Sequence, residues 1–96
     1  MAQASSEHAG ATAEVIATLP ADVDLHARPA ANFVRTAMGF TADLQAAAGD
    51  REVDAKSLLS VLSLGAKGGS ALHLRADGDD APVALETLAG CVTALQ

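Results

Sequence analysis

A chain of 96 residues with 12 acidic and 6 basic side chains, net charge −6, has the size of one domain with a modest core. Its acidity opposes binding to a phosphate backbone, and with Phe33 and Phe40 as its only aromatics it lacks a stacking platform for single-stranded nucleic acid. No apolar run approaches the roughly 20 residues of a membrane span, the N-terminus lacks a secretory pattern, and the single Cys91 cannot form an internal disulfide. The expectation is a cytoplasmic protein that binds neither nucleic acid nor membrane, with a core of Leu, Val and Ala.

Residues 1–12 are small and polar without periodicity, which predicts a disordered tail; His8 lies in it. The domain then runs over 13–96. Residues 14–19 alternate as a strand with Val15, Ala17 and Leu19 on one face, and 20–24 form a loop. From Pro29 to about Met38 the apolar positions Ala30, Phe33, Val34, Ala37 and Met38 have helical spacing, with Gly39 just past the end. Residues 41–47 and 51–54 read as a hairpin turned by Ala48-Gly49-Asp50. Ser57 to Leu64 is a short apolar helix with Ser57 as N-cap and Gly65 as stop. A loop over 66–69 leads to a strand over 70–76, with Leu72 and Leu74 inward and the solvated His73 and Arg75 outward. Gly78-Asp79-Asp80 ends that strand and caps the last helix. Pro82 lies in the first turn of this helix, and Leu85, Leu88, Ala89, Val92 and Leu95 form its buried stripe. Cys91 falls in the same helix as a packed or half-packed thiol. The order β-α-β-β-α-β-α predicts an α+β domain with helices layered on one face of a four-stranded antiparallel sheet. Spacing alone leaves the strand order open.

The run Leu25-His26-Ala27-Arg28-Pro29-Ala30 carries the chemistry. An imidazole is a nucleophile near neutral pH. A helix start offers unpaired N–H groups and a positive dipole end to an anion, and Arg28 can donate charge-assisted hydrogen bonds to phosphate oxygens. Those are the parts needed to hold a phosphoryl group on nitrogen. On its own, a histidine before a helix is most often a cap or a surface residue.

A second segment changes the weighing. Together with the His26 run, Val53-Asp54-Ala55-Lys56-Ser57-Leu58-Leu59-Ser60-Val61-Leu62-Ser63-Leu64-Gly65 resembles the HPr family, the histidine-containing phosphocarriers of the bacterial phosphoenolpyruvate:sugar phosphotransferase system. The resemblance spans residues 14 to about 95, and the 31 positions from His26 to Ser57 fit it. It implies an open-faced β-sandwich, four antiparallel strands under three helices. It also implies that His26 takes a phosphoryl group from phospho-enzyme I through Nδ1 and passes it to EIIA domains of sugar permeases, while Arg28 steadies the phosphate. Pro29 has no N–H, so the amides of Ala27, Arg28 and Ala30 are the expected backbone donors. Ser57 matches the position that a dedicated serine kinase/phosphatase modifies in some bacteria. Leu58 and Leu59, flanked by Lys56 and Lys67, lie where the family docks its partners. With Arg28 those lysines are three of the six basic residues, a local positive face that would steer acidic partners. A monomer suits a carrier that presents one face to several partners.

Asp24 departs from the family, which usually has glycine there. Asp is among the few other residues that tolerate positive φ. A carboxylate there is expected to repel a bound phosphate, and so to bear on transfer rate and phosphohistidine lifetime, unless it points away or pairs with Arg28. Competing readings are an HPr-like regulatory or dihydroxyacetone-kinase-branch module acting through protein contacts, and a structural α+β domain. No cofactor is expected. His8, His26 and His73 fall on separate elements without metal-ligand spacing. Gly65-Ala66-Lys67-Gly68-Gly69 lacks the spacing of a nucleotide-binding loop.

Overall fold

The computed structural model describes residues 11–96. Its elements are β1 (Ala11–Thr18), α1 (Ala27–Ala37), β2 (Asp43–Ala48), β3 (Arg51–Asp54), α2 (Leu58–Ser63), β4 (Ala71–Gly78) and α3 (Ala81–Thr93). The expected order is therefore present, and pairing supplies what spacing could not. The sheet runs β1-β4-β2-β3 with every neighbour antiparallel.

Alternation along the strands sorts the two faces. The inner rows pair Val15 with Leu74 and Leu74 with Ala46, then Ala17 with Leu72 and Leu44 with Ala76. Ala17, Leu44, Ala46, Leu72, Leu74 and Ala76 are all buried. The outer rows carry Glu14, Arg75 and Gln45, then Ile16, His73 and Ala47. Of these, Glu14, Ile16, His73 and Arg75 are exposed and Gln45 and Ala47 half-buried, as on the open face of a one-sided antiparallel sheet. Helix α3 lies over β1 and β4, α1 packs beside α3, and α2 packs against α1 and β3.

The helices follow their apolar stripes. Ala30, Phe33, Val34 and Ala37 are the buried positions of α1, and Phe33 is the one fully buried aromatic. Met38, expected on that stripe, is 64% exposed. The helix ends at Ala37, so Met38 is its C-cap, one turn past Val34 at the rim of the core. Helix α3 buries Ala81, Ala84, Leu85, Leu88 and Val92, and Leu95 is buried just beyond its end. Ala89 and Cys91 are half-buried against the core. In α2, Ser57 caps as expected, its Oγ accepting from Ser60 N at 3.3 Å, and Gly65 takes φ 61° to end the helix.

A boundary and a cap differ most from expectation. Strand β1 starts at Ala11, inside the expected tail, because Ala11, Thr12 and Ala13 pair with Gly78, Asp77 and Ala76. Small residues carry no hydrophobic signal, and it is the partner strand that orders them. The rest of the expected tail, with His8, lies outside the described residues. Asp80 stands at the N-cap of α3, but its side chain does not cap that helix. Its carboxylate instead accepts from Thr41 N at 2.9 Å and Ala42 N at 2.8 Å, fastening the α1–β2 connection to the start of α3.

Those bonds, chiefly the one from Thr41, hold the Asp80 carboxyl below its ordinary range. A group whose pKa falls on folding stabilises the fold above its unfolded pKa, and the gain is lost as pH drops through the folded value. Asp80→Asn is therefore expected to lower the thermal midpoint at neutral pH. The gap from the parent protein should narrow as pH falls below about 4, read from melting curves across that range. In the core, Phe33→Ala is expected to cost about 3–5 kcal/mol by urea denaturation, since it empties a site with no solvent access.

Candidate functional site

The candidate site lies where two connections leave the sheet together. Thr18, the last residue of β1, pairs with Ala71, the first of β4. The chain after β1 and the chain before β4 therefore run side by side, and they are laced. Leu19 N donates to Ser70 O at 3.0 Å, and Gly69 N donates to Leu19 O and Pro20 O at 3.2 and 3.1 Å. Leu25 N donates to Ala66 O at 2.9 Å, and the Leu25 side chain is buried. Gly68 lies so close to the Ala21 carbonyl and to Val23 N that a β-carbon there would overlap them.

On this seat stands His26, exposed, at the N-cap of α1 in extended conformation (φ −143°, ψ 163°). Its backbone N–H donates to Asp24 O at 2.8 Å, and its side chain makes no capping bond. Ala27 then takes φ 48°, the one positive φ outside glycine among the described residues. A left-handed Ala is disfavoured by about 1–2 kcal/mol. Here it joins the extended His26 directly to a helix. The helix thus begins at Ala27, two residues before Pro29. Ala30 N donates to His26 O at 3.4 Å, so this amide is already used within the helix. Ala27 and Arg28 hold the N–H groups that a first turn leaves unpaired.

The structure brings together some of the expected residues and separates others. His26, Asp24, Leu25, Gly65, Ala66 and Lys67 line one shallow depression of about 80 Å3. Lys67, expected as a docking flank, thus shares the rim with the histidine. Arg28 is exposed and forms no ion pair among the described residues. It lines a different depression, of about 370 Å3, between α1 and the end of α3, together with Asn32 and Cys91. The Cys91 thiol there lies 3.5 Å from Thr36 Oγ1, whose own proton goes to Asn32 O at 2.9 Å. Lys56 Nζ donates to Phe40 O at 2.7 Å, which ties it to the α1–β2 connection. Leu58 and Leu59 are 42% and 80% exposed. His73 lies on the open face of the sheet, away from the loops that carry His26.

Asp24 neither takes a positive φ nor pairs with Arg28. Its Oδ1 accepts from Gly68 N at 2.8 Å, so the carboxylate turns to the neighbouring connection and pairs with no arginine. The residues missed by sequence reasoning are Ala66 and Gly68, the backbone partners of Leu25 and Asp24. The Gly68-Gly69 pair is the signal that a close approach occurs there.

Fold and site define a class by architecture, an open-faced α+β sandwich with an exposed histidine at the start of its first helix. Comparison with known proteins places the chain within that class. The family model described as PTS HPr component phosphorylation site matches residues 13–94. A phosphocarrier protein HPr from Haloferax volcanii is 44% identical over 75 residues, covering 76% of this chain and 83% of the relative. A multiphosphoryl transfer protein from Xanthomonas campestris is 45% identical over 71 residues; the match covers 74% of this chain but only 8% of that much longer protein. The crystal structure of a phosphocarrier protein HPr from Bacillus anthracis superposes with a TM-score of 0.82 at 36% identity, covering 86% of this chain and 99% of the other. The chain belongs to the HPr family.

The left-handed Ala27 yields a direct test. Ala27→Gly is expected to raise stability by up to about 1 kcal/mol by removing the Cβ penalty, measured by chemical denaturation.

Proposed function

We propose that this protein is a phosphocarrier of the phosphoenolpyruvate:sugar phosphotransferase system, accepting a phosphoryl group on Nδ1 of His26 from phospho-enzyme I and delivering it to EIIA domains of sugar permeases. The observation that carries the reading is an exposed His26 at a helix N-cap whose imidazole is not spent on capping. An N-cap side chain ordinarily accepts from the first turn. Here that position holds a nucleophile turned to solvent, and the first-turn amides are left for an anion.

In the forward step the Nδ1 lone pair forms a P–N bond as the bond from phosphorus to the donor breaks. In the next step the roles reverse, and His26 becomes the leaving group toward the acceptor. The transferring group needs its equatorial oxygens stabilised and its two apical atoms in line. The Ala27 and Arg28 amides and the α1 dipole serve the oxygens from the carrier's side. The Arg28 guanidinium, two residues from His26, swings from the α1–α3 depression to join them. The depression around His26 is too shallow to exclude water, so the docked partner completes the enclosure. Exposed Leu58 and Leu59 supply apolar contact for that docking, and Lys67 and Lys56 supply positive charge. Phosphorylation of Ser57 would add about −1.5 to −2 charges next to those leucines and weaken docking of an acidic partner. The protein works in the cytoplasm, as a monomer.

Incubation with phosphoenolpyruvate and enzyme I tests the reading. Acid-labile label is expected on the parent protein and on His73→Ala, and none on His26→Ala. Arg28→Ala is expected to slow transfer about 100-fold. Label that survives in His26→Ala would refute the assignment.

A further inference from the structure

The residue that departs from the family sits against its most important one. Asp24 occupies the position two before His26, and three hydrogen bonds hold this segment. Its Oδ1 accepts from Gly68 N at 2.8 Å, across 44 positions of sequence. Its own carbonyl accepts from His26 N at 2.8 Å. The next residue, Leu25, donates to Ala66 O at 2.9 Å. Asp24 is thus bonded through its side chain to the connection before β4 and through its backbone to the phosphoryl-accepting residue. A glycine there would keep the two backbone bonds and lose the third.

We infer that Asp24 is a positioning residue for His26, acting through its bond to Gly68 rather than through its charge. The inference rests on the phosphocarrier reading of His26. Gly68 is a fixed point, since its close approach to Ala21 and Val23 leaves no room for a β-carbon. A carboxylate accepting from so constrained an amide is held in turn, and the Asp24–His26 peptide segment is held with it. Orientation of the imidazole is then set before a partner arrives, which is where an in-line transfer is most sensitive to small displacements. The charge itself has no favourable part in the chemistry. Asp24 lines the His26 depression, and a second anion there repels an incoming phosphoryl group. The arrangement is explained by the hydrogen bond, which commits one carboxylate oxygen to the neighbouring loop.

Asparagine separates the two contributions, because its amide oxygen can accept from Gly68 N without carrying charge. The experiment compares the parent protein with Asp24→Asn, Asp24→Gly and Asp24→Ala in steady-state phosphorylation by enzyme I and phosphoenolpyruvate, alongside hydrogen exchange at the Gly68 amide. The expected result has Asp24→Asn within about twofold of the parent in kcat. Asp24→Ala and Asp24→Gly should fall about tenfold in kcat, with KM for enzyme I unchanged, since the α2 surface is untouched. Exchange at Gly68 should quicken about tenfold in Ala and Gly but not in Asn. Equal kcat across all four proteins would overturn the inference while leaving the carrier reading intact. Asn grouping with Ala and Gly, with Gly68 still protected, would also overturn it by assigning the effect to charge. A parent protein that takes no label from an enzyme I proven active would overturn the carrier reading and this inference with it, although the exchange data would still report whether the bond forms.

Discussion

The site depends on one constraint, the pinning of the chain between Leu19 and His26 to the chain between Ala66 and Ser70. Neither stretch has regular structure, and neither could hold a shape alone. Backbone bonds from Leu19 and Leu25 on one side and from Gly69 on the other make them a single unit. The buried Leu25 and the close approach at Gly68 then lock that unit onto the core. Buried or half-buried backbone groups must be paired, and here each connection satisfies the other. An extended residue followed by a left-handed alanine can persist at the head of α1 because its surroundings over-determine it.

The division of labour between the faces follows from the same layout. The three helices cover one face of the sheet and bring α1, α2 and the pinned connections to one side of the molecule. The other face carries Glu14, Asp43, Glu52, Asp54 and Asp77 against Arg75, which pairs with Glu52 at 2.7 Å. Five of the twelve acidic side chains are thus kept off the helical side. That side holds Arg28, Lys56 and Lys67 beside exposed Leu58 and Leu59. Whole-chain charge is a poor guide to what any one face attracts.

The features legible in the sequence are those encoded within a few residues. The Ala30, Phe33, Val34 and Ala37 stripe of α1, the Ser57 cap and the Gly65 stop are local patterns, and these are found in place. What could not be read depends on partners far along the chain. Asp80 looks like a helix cap and instead holds Thr41 and Ala42. Lys56 looks like a solvated docking charge and reaches the Phe40 carbonyl. Asp24 looks like a substitute for a glycine of positive φ and is a side-chain acceptor for Gly68. In each case the local propensity was real, but a tertiary donor or acceptor offered a better bond. Ala27 is the extreme case, since nothing about an alanine announces a left-handed backbone.

The strand order has a consequence for how the molecule is made. Among the described strands β1 comes earliest in the chain, yet it pairs with β4, and the register joins Thr18 to Ala71 and Ala11 to Gly78. The hairpin of β2 and β3 can close early from neighbouring residues, whereas the edge that carries the histidine must wait for most of the chain to emerge. Contacts of such sequence separation are slow to form and reward the chain only late. The histidine therefore acquires its seat in the same cooperative event that completes the sheet. A nascent or partly folded chain holds the imidazole without the geometry around it, and competence to react becomes a report that folding has finished.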